Sequence, residues 1–164
     1  MKIIAIDPGP EQSASVLYDT EKAAPCEWAI WRNEHLLAAL IEEEVPPRYS
    51  TDADKLAIEM VACYGMPVGK SIFETAFWAG RFVQAFPGPH VRIYRQDVKL
   101  FLCNSMRAKD ANIRQALIDR FPATGGGKTP QVGTKKRPGP LYGFHKDLWS
   151  ALAVAVTAAE GKDG

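Results

Sequence analysis

Three carboxylates in this chain of 164 residues stand where solvated surface acids are seldom found. Asp7 closes the apolar run Lys2-Ile-Ile-Ala-Ile, Glu59 closes Leu56-Ala-Ile, and Asp147 opens a long apolar stretch near the C-terminus. Taken singly, each has an ordinary structural use. Asp7 can cap the Pro8-Gly9 turn, Glu59 can pair with Lys55, and Asp147 can cap a helix. Taken together at the ends of neighbouring elements, they would crowd like charges, and each would raise the pKa of the next. Hard divalent cations relieve such repulsion through oxygen ligands at about 2.1 Å for Mg2+. Two such ions about 3.5–4 Å apart can hold a phosphate, activate a water and stabilise the leaving oxygen. The chemistry this pattern points to is phosphodiester hydrolysis, with Asp7, Glu59 and Asp147 as catalytic metal ligands.

That reading requires elements that gather the three acids. Residues 2–7 read as a buried strand, Pro8-Gly9-Pro10 as a turn, and residues 13–18 as a second strand returning beside the first. Residues 26–31 form a third strand with Cys26, Trp28 and Ile30 on one face. Asn33 can cap a helix reaching about residue 44, with Leu36, Leu37, Leu40 and Ile41 as its apolar stripe, before Pro46-Pro47 ends it. A polar loop over residues 48–55 leads to a strand at 56–59. Reached through a helical crossover, that strand should run parallel to an earlier one, setting Glu59 beside Asp7. Residues 71–86 have helical length, 91–94 are strand-like, and 110–121 are helical with Asp110 as cap and Ile113, Leu117 and Ile118 facing inward. The tail is helical again. Residues 122–143, rich in Gly, Pro and Lys and without hydrophobic periodicity, read as a flexible basic loop within one domain spanning 1–164. The expected class is α/β, with a five-stranded mixed sheet of three antiparallel strands followed by two parallel ones, flanked by helices.

The segments Ile4-Ala-Ile-Asp-Pro-Gly9, Ala57-Ile-Glu59 and Ser150-Ala-Leu-Ala-Val-Ala155 carry a resemblance. In order and spacing they look like the three signature regions of the RuvC family of Holliday junction resolvases, with a phage or prophage-type member expected. The resemblance implies an RNase H-like fold, a homodimer, Mg2+ or Mn2+, and symmetric nicking at four-way DNA junctions to leave 5′-phosphate ends. Two departures stand out. The family's final helix often carries two acids three residues apart, and the second position is Ser150 here, sharing a helix face with Asp147 and suited to hold a metal ion through a water. An aromatic three residues beyond the second carboxylate contacts bases in the family, and that position is Ala62 here. Tyr64 is the nearest substitute, able to stack on an unpaired base. His145 is an auxiliary ligand candidate, although a histidine near a helix start more often caps or faces solvent.

Charge agrees with a polyanionic partner. The net charge is only +1, yet residues 21–59 hold 4 basic against 9 acidic side chains, and residues 66–140 hold 13 against 4. Lysine and arginine near phosphates release condensed counterions and so favour nucleic acid. Arg107 and Lys109, just before a helix start, and Lys128, Lys135, Lys136 and Arg137, in the basic loop, are the expected DNA contacts. The three cysteines, Cys26, Cys63 and Cys103, show neither disulfide nor zinc spacing and read as buried thiols of a cytoplasmic protein. Gly127-Lys128-Thr129 is no phosphate-binding P-loop, because Pro122 stands where its first glycine belongs. A sugar-kinase relationship would need a second domain around a nucleotide. The remaining rivals are an RNase H-like nuclease acting on structured or precursor rRNA, and a DNA-binding protein impaired in catalysis by Ser150.

Overall fold

Every second residue of the first strand belongs to one of two apolar layers, and that alternation decides which way the acids point. The computed structural model describes residues 1–43 and 45–161. Strand β1 (Lys2–Asp7) lies antiparallel to β2 (Gln12–Asp19), which pairs antiparallel with β3 (Ala24–Arg32). On the other side of β1, β4 (Lys55–Met60) and then β5 (His90–Tyr94) run parallel to it, in the order β3-β2-β1-β4-β5. The mixed sheet expected from the sequence is the one observed.

Ile4, Ile6 and Ile58 face the layer containing α1 (Asn33–Ile41) and α3 (Lys70–Ala85), where Leu36, Leu40, Trp78 and Phe82 are buried. Ile3, Ala5 and Ala57 face the opposite layer, against α6 (Leu148–Glu160), which is buried along nearly its whole length. Ala151, Ala153 and Ala155 let that helix lie close to the sheet, while each fully buried leucine, such as Leu152, contributes roughly 1.5–3 kcal/mol. Because side chains alternate along a strand, Asp7 and Glu59 follow Ala5 and Ala57 onto the α6 face. The parallel register pairs Ile6 with Ile58, so the next residue on each strand is an acid, and the two acids are neighbours at the sheet's C-terminal edge.

Three expectations about helices change. Asn33 is the first residue of α1 rather than its cap, which is Arg32, and the helix ends at Ile41; residue 44, its expected end, lies outside the described residues. Likewise Lys109, not Asp110, caps α5 (Asp110–Ile118), with the Asn112 side chain accepting the Lys109 N–H at 2.9 Å. The polar stretch after residue 48 contains a short helix α2 (Tyr49–Asp52), and a further helix, α4 (Arg95–Cys103), follows β5 directly. Helix α4 is hard to see in the sequence because Val98 is its one fully buried residue, too little to register as an apolar stripe.

Asn33 has a more specific use than capping. Fully buried, it donates from its amide to the Gly9 carbonyl at 2.9 Å and accepts the Ser13 hydroxyl at 2.6 Å, while the Gly9 N–H reaches Ser13 Oγ at 3.2 Å. This network clamps the turn that follows Asp7. Asn33→Ala leaves a buried hydroxyl and carbonyl short of partners, so it is expected to destabilise the protein by about 1–3 kcal/mol in urea denaturation. A loss within experimental error would show the turn to be held by other contacts.

Residues 122–143, expected to be a flexible basic loop, carry a set of backbone hydrogen bonds of their own. Backbone N–H groups of Gly125, Gly126, Gly139 and Leu141 donate to carbonyls of Pro130, Arg137, Val132 and Gln131 at 2.8–3.0 Å, and the fully buried Leu141 pins the segment to the core. Its glycines serve close backbone approach: a Cβ at Gly139 would lie 2.3 Å from the Pro130 carbonyl oxygen. The cysteines also depart from expectation. Cys26 is exposed on the edge strand β3, and Cys63 and Cys103 are half-buried.

Candidate active site

Strand register brings the Asp7 and Glu59 carboxyls within hydrogen-bonding reach of each other. Burial, reinforced by the negative charges of Glu59 and Asp147, pushes Asp7 up to about 8, against the opposing pull of Arg95. Glu59 is also raised, again chiefly by burial, with Arg95 acting the other way. The two acids therefore share a proton rather than carry two charges. Glu59 Oε2 is buried without a hydrogen-bond partner. An orphaned carboxylate oxygen beside a second carboxyl is a costly arrangement that a hard cation would relieve, so this donor pair fits Mg2+ or Mn2+.

Asp147 stands somewhat apart. It is the N-cap of α6, exposed and without a side-chain capping bond, and its charge acts on both members of the pair. Among the described residues, no three Asp, Glu, His or Cys side chains meet closely enough to form one ligand set. His145 is exposed and donates from Nδ1 to the Gly143 carbonyl at 2.9 Å. Ser150 meets a cation instead of an acid: Arg95 donates to its Oγ at 3.4 Å.

Arg95 is the residue that sequence reasoning missed. From the first turn of α4 its Nη1 lies 3.7 Å from Glu59 Oε1, and its Nη2 pairs with Asp110 at the start of α5. It lines both openings of the site. One is a cleft formed by Asp7, Pro8, Glu59, Met60, Tyr64 and Ile72; the other holds Asp110, Arg114, Lys146, Asp147 and Ser150. The signal available in the sequence was its place just beyond β5, the neighbour of the strand that carries Glu59.

The expected DNA contacts divide into groups. Tyr64 is 60% exposed, held at a positive φ of 42°, and borders the carboxylate cleft directly. Arg107 and Lys109 are exposed just before α5. Lys128, Lys135, Lys136 and Arg137 are exposed on the folded 122–143 segment. Lys128 there lines a hollow shared with Arg114 and Gln115 of α5, which joins the segment to the helix beside Asp110.

No family model matches the sequence, and no curated protein matches it. Solved structures do. Thermus thermophilus RuvC superposes with a TM-score of 0.67 at 17% identity, covering 97% of this chain and 93% of that one. The same protein in complex with Holliday junction substrate gives 0.66 at 17% identity with the same coverage. The yeast mitochondrial Holliday junction resolvase Ydc2 gives 0.54 at 9% identity, covering 96% of this chain and 78% of that one. The chain thus has the RuvC-type, RNase H-like fold, as the three sequence signatures implied.

Proposed function

We propose that this protein is a divalent-metal-dependent endonuclease that cuts DNA at four-way junctions, with Asp7, Glu59 and Asp147 as its working carboxylates. The observation that carries this reading is the Asp7–Glu59 pair with its unpartnered buried oxygen, set at the sheet edge of a fold shared with a RuvC solved on Holliday junction substrate. Mg2+ or Mn2+, held by this pair, would draw charge from a phosphate oxygen and make an attacking water more acidic. To hold such an ion, Asp7 would have to be in its ionised form. The exposed Asp147 side chain has the freedom to turn toward the ion as a third carboxylate. Tyr64 stacks on a base unpaired at the branch. Symmetric cutting requires two such sites, so the working form is a homodimer, for which the exposed Phe73 and Phe77 of α3 offer apolar surface.

The test is cleavage of a synthetic four-way junction with Mg2+ or Mn2+. The expected result is paired nicks in opposing strands with linear duplex spared. A preference for structured RNA would transfer the same chemistry to the rRNA reading, and binding without cutting would overturn the nuclease reading.

The basic segment gives a separate expectation. Neutralising Lys135, Lys136 and Arg137 together should weaken junction binding and reduce the slope of log affinity against log salt by roughly 0.9 for each phosphate left unneutralised. Fluorescence anisotropy at several salt concentrations measures it. An unchanged slope would place this segment away from the DNA.

A further inference from the structure

Resting on that nuclease reading, we propose that Arg95 is a catalytic residue that grips the scissile phosphate, bringing from the protein the positive charge that a second metal ion would otherwise supply on the Ser150 side. The expectation of two ions then gives way to one ion at Asp7 and Glu59, with a guanidinium beside it.

Three observations carry this assignment. First, the second acid that would anchor a further ion is absent: Asp147 and Ser150 share a face of α6, and the Ser150 hydroxyl is turned to Arg95. Second, the guanidinium is held at one end and underused at the other. Nη2 is tethered by Asp110, while among the described residues Nη1 makes only a 3.4 Å contact to Ser150 and a 3.7 Å contact to Glu59. Charge-assisted N–H···O bonds normally close to about 2.7–2.9 Å, so Nη1 has donor capacity left for a stronger anion. Third, Arg95 lines both the carboxylate cleft and the opening beside Asp147, so a phosphate entering from either reaches it. Its planar fork suits two oxygens of one phosphate.

The reaction balances without an added redox partner. A water oxygen bonds to phosphorus while the P–O3′ bond breaks. The water's proton passes to solvent, and the departing 3′ oxygen takes up a proton to leave as a hydroxyl. Negative charge grows on the non-bridging oxygens during the exchange, and Arg95 donates to them there.

Arg95→Ala and Arg95→Lys test the assignment, with circular dichroism establishing that each is folded. In single-turnover cleavage of a four-way junction, Arg95→Ala should lose roughly 100- to 1000-fold in rate. Free guanidinium ion should restore part of it, and Arg95→Lys should fall between Arg95→Ala and the parent. In EDTA, junction binding by Arg95→Ala should show a salt slope lower by about 0.9, the share of one neutralised phosphate. Mn2+ titrated calorimetrically into protein without DNA should bind Arg95→Ala at least as tightly as the parent, since a cation beside Glu59 has been removed. A residue that merely braced Glu59 would instead weaken Mn2+ and leave the salt slope alone, and that pattern overturns the proposal. Parental cleavage rates in Arg95→Ala, with the parent cutting junctions, overturn it while leaving the nuclease reading intact. A parent that cuts no junction under either metal overturns both.

Discussion

Asp7→Asn is expected to cut four-way junctions at least about a thousandfold more slowly than the parent, and in EDTA at pH 7 to unfold at a higher temperature. Loss of cutting follows from removing one of the two carboxylates that would hold the ion. The gain in stability follows from the cost of keeping that carboxyl in the empty site. Its folded pKa is raised to about 8 from 3.8, by burial and by the charges of Glu59 and Asp147. A carboxyl raised in this way contributes favourably to folding below the unfolded value, and that contribution is lost as pH rises toward the folded value. At pH 7 the unfolded chain holds Asp7 ionised while the folded chain must hold it protonated. Each unit of difference corresponds to about 1.4 kcal/mol, which places the penalty on the order of 2–4 kcal/mol. Asparagine keeps a donor for Glu59 and needs no proton. Near the transition, 1 kcal/mol is worth roughly 2–4 °C in a domain of this size. Calorimetry in EDTA measures the shift. Mn2+ should then raise the parent's midpoint far more than the variant's. An Asp7→Asn protein less stable than its parent in EDTA would mean that Asp7 is a structural residue rather than one strained for ligand binding.

Legibility in the sequence tracks how strongly each residue's own burial marks it. Ile3 to Ile6 and Leu56 to Ile58 are buried apolar runs, and an acid closing each run announces itself, so the juxtaposition of Asp7 with Glu59 is legible from residue order alone. Arg95 gives no such signal. It sits in a helix with one fully buried residue, among Asp97, Lys99 and other polar side chains, and becomes notable only when α4 turns it back over the sheet edge. Asn33 misleads in the opposite direction. Its type suits a helix cap, but tertiary contact with the Gly9 carbonyl claims its amide. The segment 122–143 shows a further limit. Glycine raises chain entropy when isolated, yet it also permits the close approaches seen around Gly139, and composition alone does not separate the two uses. Asp147 lies between these cases: its place at the start of α6 was legible, whereas its exposure and its separation from the tight pair depend on how the helix sits on the sheet.

The shared proton has a kinetic consequence as well as a thermodynamic one. At metal concentrations well below saturation, cleavage by the parent is expected to climb about tenfold per pH unit from about pH 6 toward 8 and then level off. An ion needs both carboxylates, and with Asp7 raised to about 8 and Glu59 raised beside it, binding at lower pH must first expel the proton that the pair holds. Apparent metal affinity therefore falls with each added proton, and under limiting metal the rate falls with it. Saturating metal reverses the competition: the bound ion holds Asp7 ionised, and the plateau should begin at lower pH. Calorimetric titration of Mn2+ at pH 7 in buffers of different ionisation enthalpy counts the expelled protons directly, with at least about one per ion expected. The same titration on Asp7→Asn should release fewer protons and bind the ion weakly. A parent that binds Mn2+ without proton release, with a rate flat over the same pH range at limiting metal, would show the Asp7–Glu59 pair to be fully ionised in the empty site. The cleft would then have to be far better solvated than the buried, unpartnered Glu59 oxygen implies.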